Sequence, residues 1–187
     1  MASRYGDIGS VQTSGASRQT ASADRLSSSG VSASHEMAAS DLRYVNRYKD
    51  KIISASRRHD VQPAIVAGII SRETRGGRAI ESTNGYGDHG NAFGLMQVDK
   101  RWHSPRGAWD SEEHISQGIE IYTGCYSEIA NKLPSWTNNQ KLKGALAAYN
   151  MGASNVRTYE GMDVGTTGGD YANDVSARAQ YYLRNGY

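Results

Sequence analysis

Apolar residues recur along this chain at helical spacing for most of its length. From Ser40 onward, Leu42, Val45, Ile52, Ile53 and Ala55 fall near one face, which predicts a helix capped by Ser40 or Asp41 and running to about His59. A second helix is expected from Pro63, a residue suited to a first helical position, to about Thr74. Its centre, Ala64 to Ile70, is apolar or small all round, so it reads as buried on every side. Gly76 and Gly77 then stop it.

The period changes between Ser82 and Lys100. Glycines at 85, 87, 90 and 94 and the Asn84-Gly85 pair are hairpin signals, and "AFGLMQV" reads as a strand, so a small antiparallel sheet is expected. Helical spacing then returns. Asp110 with Glu113 has the form of a capping box before a helix through Ile115, Ile119, Tyr122 and Ile129 to about Lys132. Thr137 with Gln140 opens another through Leu142, Ala145, Leu146 and Tyr149, and a last helix spans about Asp170 to Arg184. The pattern predicts an α+β chain, predominantly helical, with one small antiparallel sheet beside a buried central helix.

Residues 1–40 break this regularity. They are rich in Ser, Ala and Gly, a composition that suits a flexible tail, while Tyr5, Ile8, Val11, Leu26 and Val31 are apolar enough to pin an irregular segment to a domain surface. At 187 residues the chain is expected to form a single domain, 1–187. A net charge of +2 argues against an obligate nucleic-acid partner, which needs a dense basic face. No apolar run approaches transmembrane length, so no membrane partner is expected either. The N-terminus has no apolar core of a classical signal peptide, and Cys125 is the one cysteine, which excludes an internal disulfide. Those features suit a cytoplasmic protein or one secreted by a non-classical route.

Candidate chemistry concentrates in carboxylates. Glu73 leaves the buried helix at its C-terminal end, whose partial negative charge, together with apolar surroundings, raises a carboxyl pKa. A general acid at neutral pH needs that property. The plainer alternative is a helix-end glutamate paired with Arg72, Arg75 or Arg78. Asp88 lies in a glycine-rich turn and Asp99 ends the expected strand, so a sheet packed beside the helix end would bring both across a cleft from Glu73. An acid facing ionised carboxylates is the glycosidase arrangement. The five histidines lack metal-ligand spacing, no serine stands in a Gly-x-Ser-x-Gly elbow, and "GASNVRTYEGMDVGTTGG" matches no phosphate-binding pattern. No metal and no cofactor is expected. Cys125 reads as a small buried apolar residue.

The segments "AGIISRE", "NGYGD", "FGLMQVDKR", "PSWT", "AYNMG", "NVR", "MDVGTT" and "DYANDVSARAQYY" occur in an order that resembles the goose-type lysozymes, from about Tyr5 to Tyr187. The resemblance implies a lysozyme-like fold, an ordered N-terminal segment, and a monomeric muramidase domain acting on bacterial peptidoglycan and N-acetylglucosamine oligomers. It implies cleavage, with inversion, of the β-1,4 bond from N-acetylmuramic acid to N-acetylglucosamine. Glu73 would be the general acid, with Asp88 and Asp99 positioning water, either being the base. Gln97, His103, Tyr149, Asn150 and Tyr171 would contact sugar. Avian members carry four cysteines, where this chain has Arg4, Arg18, Ser29 and Asp60, and the connection from Glu73 to Asp88 is about two residues longer here. Two other readings share features with this one: a lytic transglycosylase, which needs neither aspartate, and a wall-binding protein without turnover.

Overall fold

A computed structural model describes residues 3–187. Seven helices are present among them: α1 (Arg18–Ala23), α2 (Val31–Val45), α3 (Lys49–Arg58), α4 (Pro63–Thr74), α5 (Glu112–Lys132), α6 (Asn138–Met151) and α7 (Tyr171–Arg184). Strands β1 (Tyr86–Gly87), β2 (Ala92–Phe93) and β3 (Val98–Asp99) form one antiparallel sheet in the order β1-β2-β3. Tyr86 pairs with Phe93, and Ala92 pairs with Asp99. The α+β class, mostly helical with one small sheet, is the one expected. Among the described residues, no helix is long and apolar enough to cross a membrane.

Helix α4 forms the axis. Every residue from Ala64 to Ser71 is buried, and burying each of Ile65, Val66, Ile69 and Ile70 contributes about 1.5–3 kcal/mol. Gly68 lets α7 approach closely, since a Cβ there would lie 3.0 Å from that of Ala179. Beside this contact runs a buried ionic cluster linking three helices. From α4, Arg72 donates to Asp174 at 2.8 Å and to Asp170 at 3.0 Å. From α7, Arg178 donates to both oxygens of Asp174 at 3.0 Å, and it lies 3.6 Å from Asp41 of α2. Arg178 and Arg72 hold the Asp174 carboxyl below its usual range against the opposing effect of burial. Satisfied on all sides, such a cluster fixes one helix arrangement, whereas deleting one member leaves a buried charge exposed to no partner.

The N-terminal segment is threaded into this framework. Ile8 is fully buried, its N–H donates to Gln62 at 2.7 Å, and Gln180 of α7 donates to the Val11 carbonyl at 2.6 Å. Ser17 caps α1 while its own N–H donates to Asp170 at 2.8 Å. Arg4 and Asp60, two of the positions that the resemblance matches to cysteines, form a loose, exposed ion pair at 3.9 Å. A pair of that kind contributes little.

Three element boundaries differ from expectation. The helix expected from Ser40 to His59 begins nine residues earlier, at Val31, and breaks at Asn46–Tyr48 into α2 and α3. Its early start follows from tertiary contacts, because Ala33, Ser34 and Met37 are buried and Ser34 donates to Asp174 at 2.7 Å. "AFGLMQV" is two short strands around a turn, because Gln97 takes a left-handed backbone (φ 51°). Helix α5 is capped by Ser111, not Asp110: the Ser111 hydroxyl accepts from the His114 N–H at 3.0 Å. The Thr137–Gln140 capping box is present as expected.

Candidate active site

Helix α4 ends in a left-handed Arg75 (φ 53°), and this termination leaves Glu73 at the mouth of a cleft of about 1000 Å³. The arginines that might have neutralised Glu73 are engaged elsewhere. Arg72 turns to Asp170 and Asp174, Arg75 pairs with Asp24 at 2.5 Å, and Arg78 pairs with Asp41. The alternative of a helix-end ion pair therefore gives way. Burial pushes the Glu73 carboxyl up to about 7, even though the Tyr171 hydroxyl donates to it at 3.0 Å and Arg72 lies nearby, both of which favour the ionised form. Tyr171 is itself held in place by the Arg72 guanidinium, 5.2 Å from its ring centre. Burial and the Glu73 charge keep its phenol protonated well above the ordinary range, so it remains a donor.

The opposite wall comes from the sheet and the turn after it. Asp88 and Asp99 both line the cleft. Arg101, also lining it, donates through Nε and Nη2 to the two oxygens of Asp99 at 3.0 and 2.8 Å, and its Nη2 lies 3.8 Å from Asp88. Hydrogen bonds from the Arg101 side chain hold Asp99 below the usual carboxylate range, more than offsetting the effect of burial. Local backbone here is unusual. Asp88 (φ 49°), His89 (φ 55°) and Gln97 (φ 51°) all occupy the left-handed region, which is costly for a side-chain-bearing residue and tends to cluster where geometry matters. The Gln97 amide folds back across Gly87 and donates to the Gly94 carbonyl at 2.9 Å, fixing β1 against the turn.

Two helices clamp that turn. Met96 donates its N–H to Nε2 of buried His114 on α5 at 3.0 Å, and its carbonyl accepts from the Tyr149 hydroxyl of α6 at 2.6 Å. Gly94 leaves room for the imidazole, since a Cβ would sit 2.2 Å from the ring. Burial depresses His114 to about 4, which keeps Nε2 a neutral acceptor.

Glu73, Asp88, Gln97, Asp99, His103, Tyr149 and Asn150 thus meet around one cleft. Tyr171, also expected to contact sugar, lies behind the cleft wall: it is 1% exposed, and its hydroxyl donates to Glu73. The Asn150 amide is occupied as well, accepting from the Thr167 N–H at 3.0 Å and donating to its hydroxyl at 3.1 Å. Cys125 is only partly buried and lines the cleft, with burial pushing its thiol up to about 12, so it offers no thiolate. Sequence reasoning missed Arg101 and gave Arg72 only as a possible partner of Glu73, because nothing local separates them from the other basic residues.

Comparison with known proteins identifies the family. The family model described as Lysozyme g matches residues 5–186. A lysozyme g of Casuarius casuarius is 51% identical over 183 residues, covering 98% of both chains. That of Dromaius novaehollandiae is 52% identical, covering 98% of this chain and 89% of its own. That of Cyprinus carpio is 48% identical with both chains fully covered. The chain belongs to the lysozyme g family and is a lysozyme, a glycoside hydrolase.

Proposed function

We propose that this protein is an inverting muramidase that hydrolyses the β-1,4 bond between N-acetylmuramic acid and N-acetylglucosamine, with a part in bacterial wall catabolism and antibacterial defence. The whole chain would act as one domain and as a monomer. One observation carries the mechanism: Glu73, raised to about 7, shares a cleft with Asp99, which is held below the usual carboxylate range. Environments that separate the titration of facing carboxyls divide the acid role from the base role. Glu73 gives its proton to the glycosidic oxygen as the C1–O bond breaks. A water held by Asp88 and Asp99 attacks C1 from the other face and gives up its proton to one of them. Tyr171 orients the acid, and the Met96 turn fixes the sheet wall. Gln97, His103, Tyr149 and Asn150 shape the walls against which the sugars lie.

The test is mass spectrometry of fragments released from purified peptidoglycan, with NMR of the first product formed. Reducing, hydrated muramic acid with inverted anomeric configuration is the expected result. Fragments one water lighter would mark a transglycosylase and remove the roles given to Asp88 and Asp99. Binding without release would mark a wall-binding protein.

A further inference from the structure

A charged cluster stands behind the acid, in which Arg72, Arg78 and Arg178 face Asp41, Asp170 and Asp174. Its charges balance, so Glu73, next to Arg72 on α4, meets little net charge from that side. Asp170 differs from the other two aspartates in what holds it. One of its oxygens accepts from Nη1 of Arg72 at 3.0 Å, and the other accepts from the backbone N–H of Ser17 at 2.8 Å. Asp41 and Asp174 instead accept from hydroxyls of the helical framework, those of Ser71 and Ser34. The Asp170 carboxylate is thus shared between the N-terminal segment and the helix that carries the acid. A second contact joins the same two parts. Thr20 of α1 packs on Gly168, where a Cβ would stand 2.6 Å from its hydroxyl, and the adjacent Thr167 lines the cleft. The Thr167 carbonyl accepts from Nη2 of Arg72 at 2.9 Å. With Cys125 as the one cysteine, no internal disulfide ties the segment down, and its seat depends on contacts of this kind.

Resting on the muramidase reading, we propose that Asp170 is a positioning residue through which the docking of the N-terminal segment reaches the general acid. Ser17 holds the Asp170 carboxylate, and Asp170 holds the Arg72 guanidinium. Arg72 in turn lies 5.2 Å from the ring centre of Tyr171, whose hydroxyl donates to Glu73. Without the Asp170 charge, Arg72 keeps Asp174 but is no longer fully compensated, and a cation beside Glu73 favours its ionised form. The other groups around Glu73 are the phenols of Tyr149 on α6 and Tyr171 on α7, which burial keeps protonated, and Asp88, Asp99 and Arg101 across the cleft. Loss of Asp170 leaves the charges of all five unchanged.

The test compares the pH profile of kcat/KM on soluble peptidoglycan fragments among full-length variants, with Glu73 titrated directly by carbon-13 NMR. Asp170→Asn should move the alkaline limb and the Glu73 titration down by roughly one pH unit. Asp170→Glu should recover much of the native profile. Ser17→Pro deletes the N–H donor at a position whose φ of −70° already suits proline, and should give the same shift in smaller measure. In an Arg72→Gln background, Asp170→Asn should add nothing, because the effect passes through Arg72. A lowered Tm with the limb unmoved in Asp170→Asn overturns the proposal by making the residue structural only. An equal shift in both backgrounds overturns it by placing the effect of Asp170 directly on Glu73. Folded Ser17→Pro with a native profile overturns the coupling to the N-terminal segment. These three outcomes leave the muramidase reading intact, whereas turnover retained in Glu73→Gln overturns both.

Discussion

The two walls of the cleft carry carboxylates in opposite physical settings. On the helical side, Glu73 stands on the most buried helix of the molecule, its neighbouring arginines drawn away and one phenol on its oxygen. On the sheet side, Asp88 and Asp99 sit on short strands and turns with left-handed backbone, in reach of an exposed arginine. One wall withholds solvent and raises a pKa, while the other supplies a cation and lowers one. On the proposed reading, burial suits Glu73 to the acid role, and the arginine on the other wall suits Asp99 to stay ionised. Arg72, Arg75 and Arg78, the arginines nearest Glu73 in sequence, are each held by an aspartate, whereas Arg101 serves Asp99.

The sharpest way to break this contrast is Glu73→Gln. Hydrolysis should fall by about 10²–10⁴-fold, with binding of N-acetylglucosamine oligomers retained in calorimetry. Undiminished turnover would mean that the acid lies elsewhere. The same variant should be more stable than native above pH 7. Glu73 binds its proton more tightly when folded, so folding loses stability as pH rises from 4.5 through about 7, on the order of 3 kcal/mol in thermal melts. On the other wall, Asp88→Asn and Asp99→Asn should each lower kcat by roughly 10–10²-fold. If one is nearly silent, the other is the base.

The pH profile follows from the same contrast. The kcat/KM of native protein should decline above about 7, as Glu73 loses its proton, and its acidic limb should lie below 3.8, as Asp99 gains one. Tyr171→Phe removes a donor that favours ionised Glu73, so the alkaline limb should move to higher pH, with only a several-fold loss of kcat. An unmoved limb would show that the phenol does not act on the acid. The smallest effect tests the strain. His89→Gly relieves a left-handed side chain on an exposed turn and should raise stability by up to about 1 kcal/mol, read by chemical denaturation.

Much of the helical wall was legible in sequence, because its signals are local. Pro63 and the apolar run mark α4, which closes at a left-handed Arg75 just before the glycine pair, and Glu73 stands in its last turn. The sheet wall was legible only as residue types. Asn84-Gly85 precedes β1 and does not form the hairpin, whose turn is Asp88–Asn91, and the expected single strand is folded at Gln97. Those outcomes depend on His114 and Tyr149, which reach Met96 from helices 18 and 53 residues away. No local window contains them. The start of α2 at Val31 was hidden for the same reason, since Ser34 owes its burial to Asp174 on α7.

The double clamp on Met96 has a consequence for how the molecule breathes. With its amide held by α5 and its carbonyl by α6, this peptide unit cannot part from the framework unless both helices release it. Its amide proton should therefore exchange with deuterium only through large-scale unfolding, as slowly as those in the centre of α4, while the exposed turn at His89 exchanges quickly. The width of the cleft is then inherited from the helical core, and substrate meets a gap already set to size.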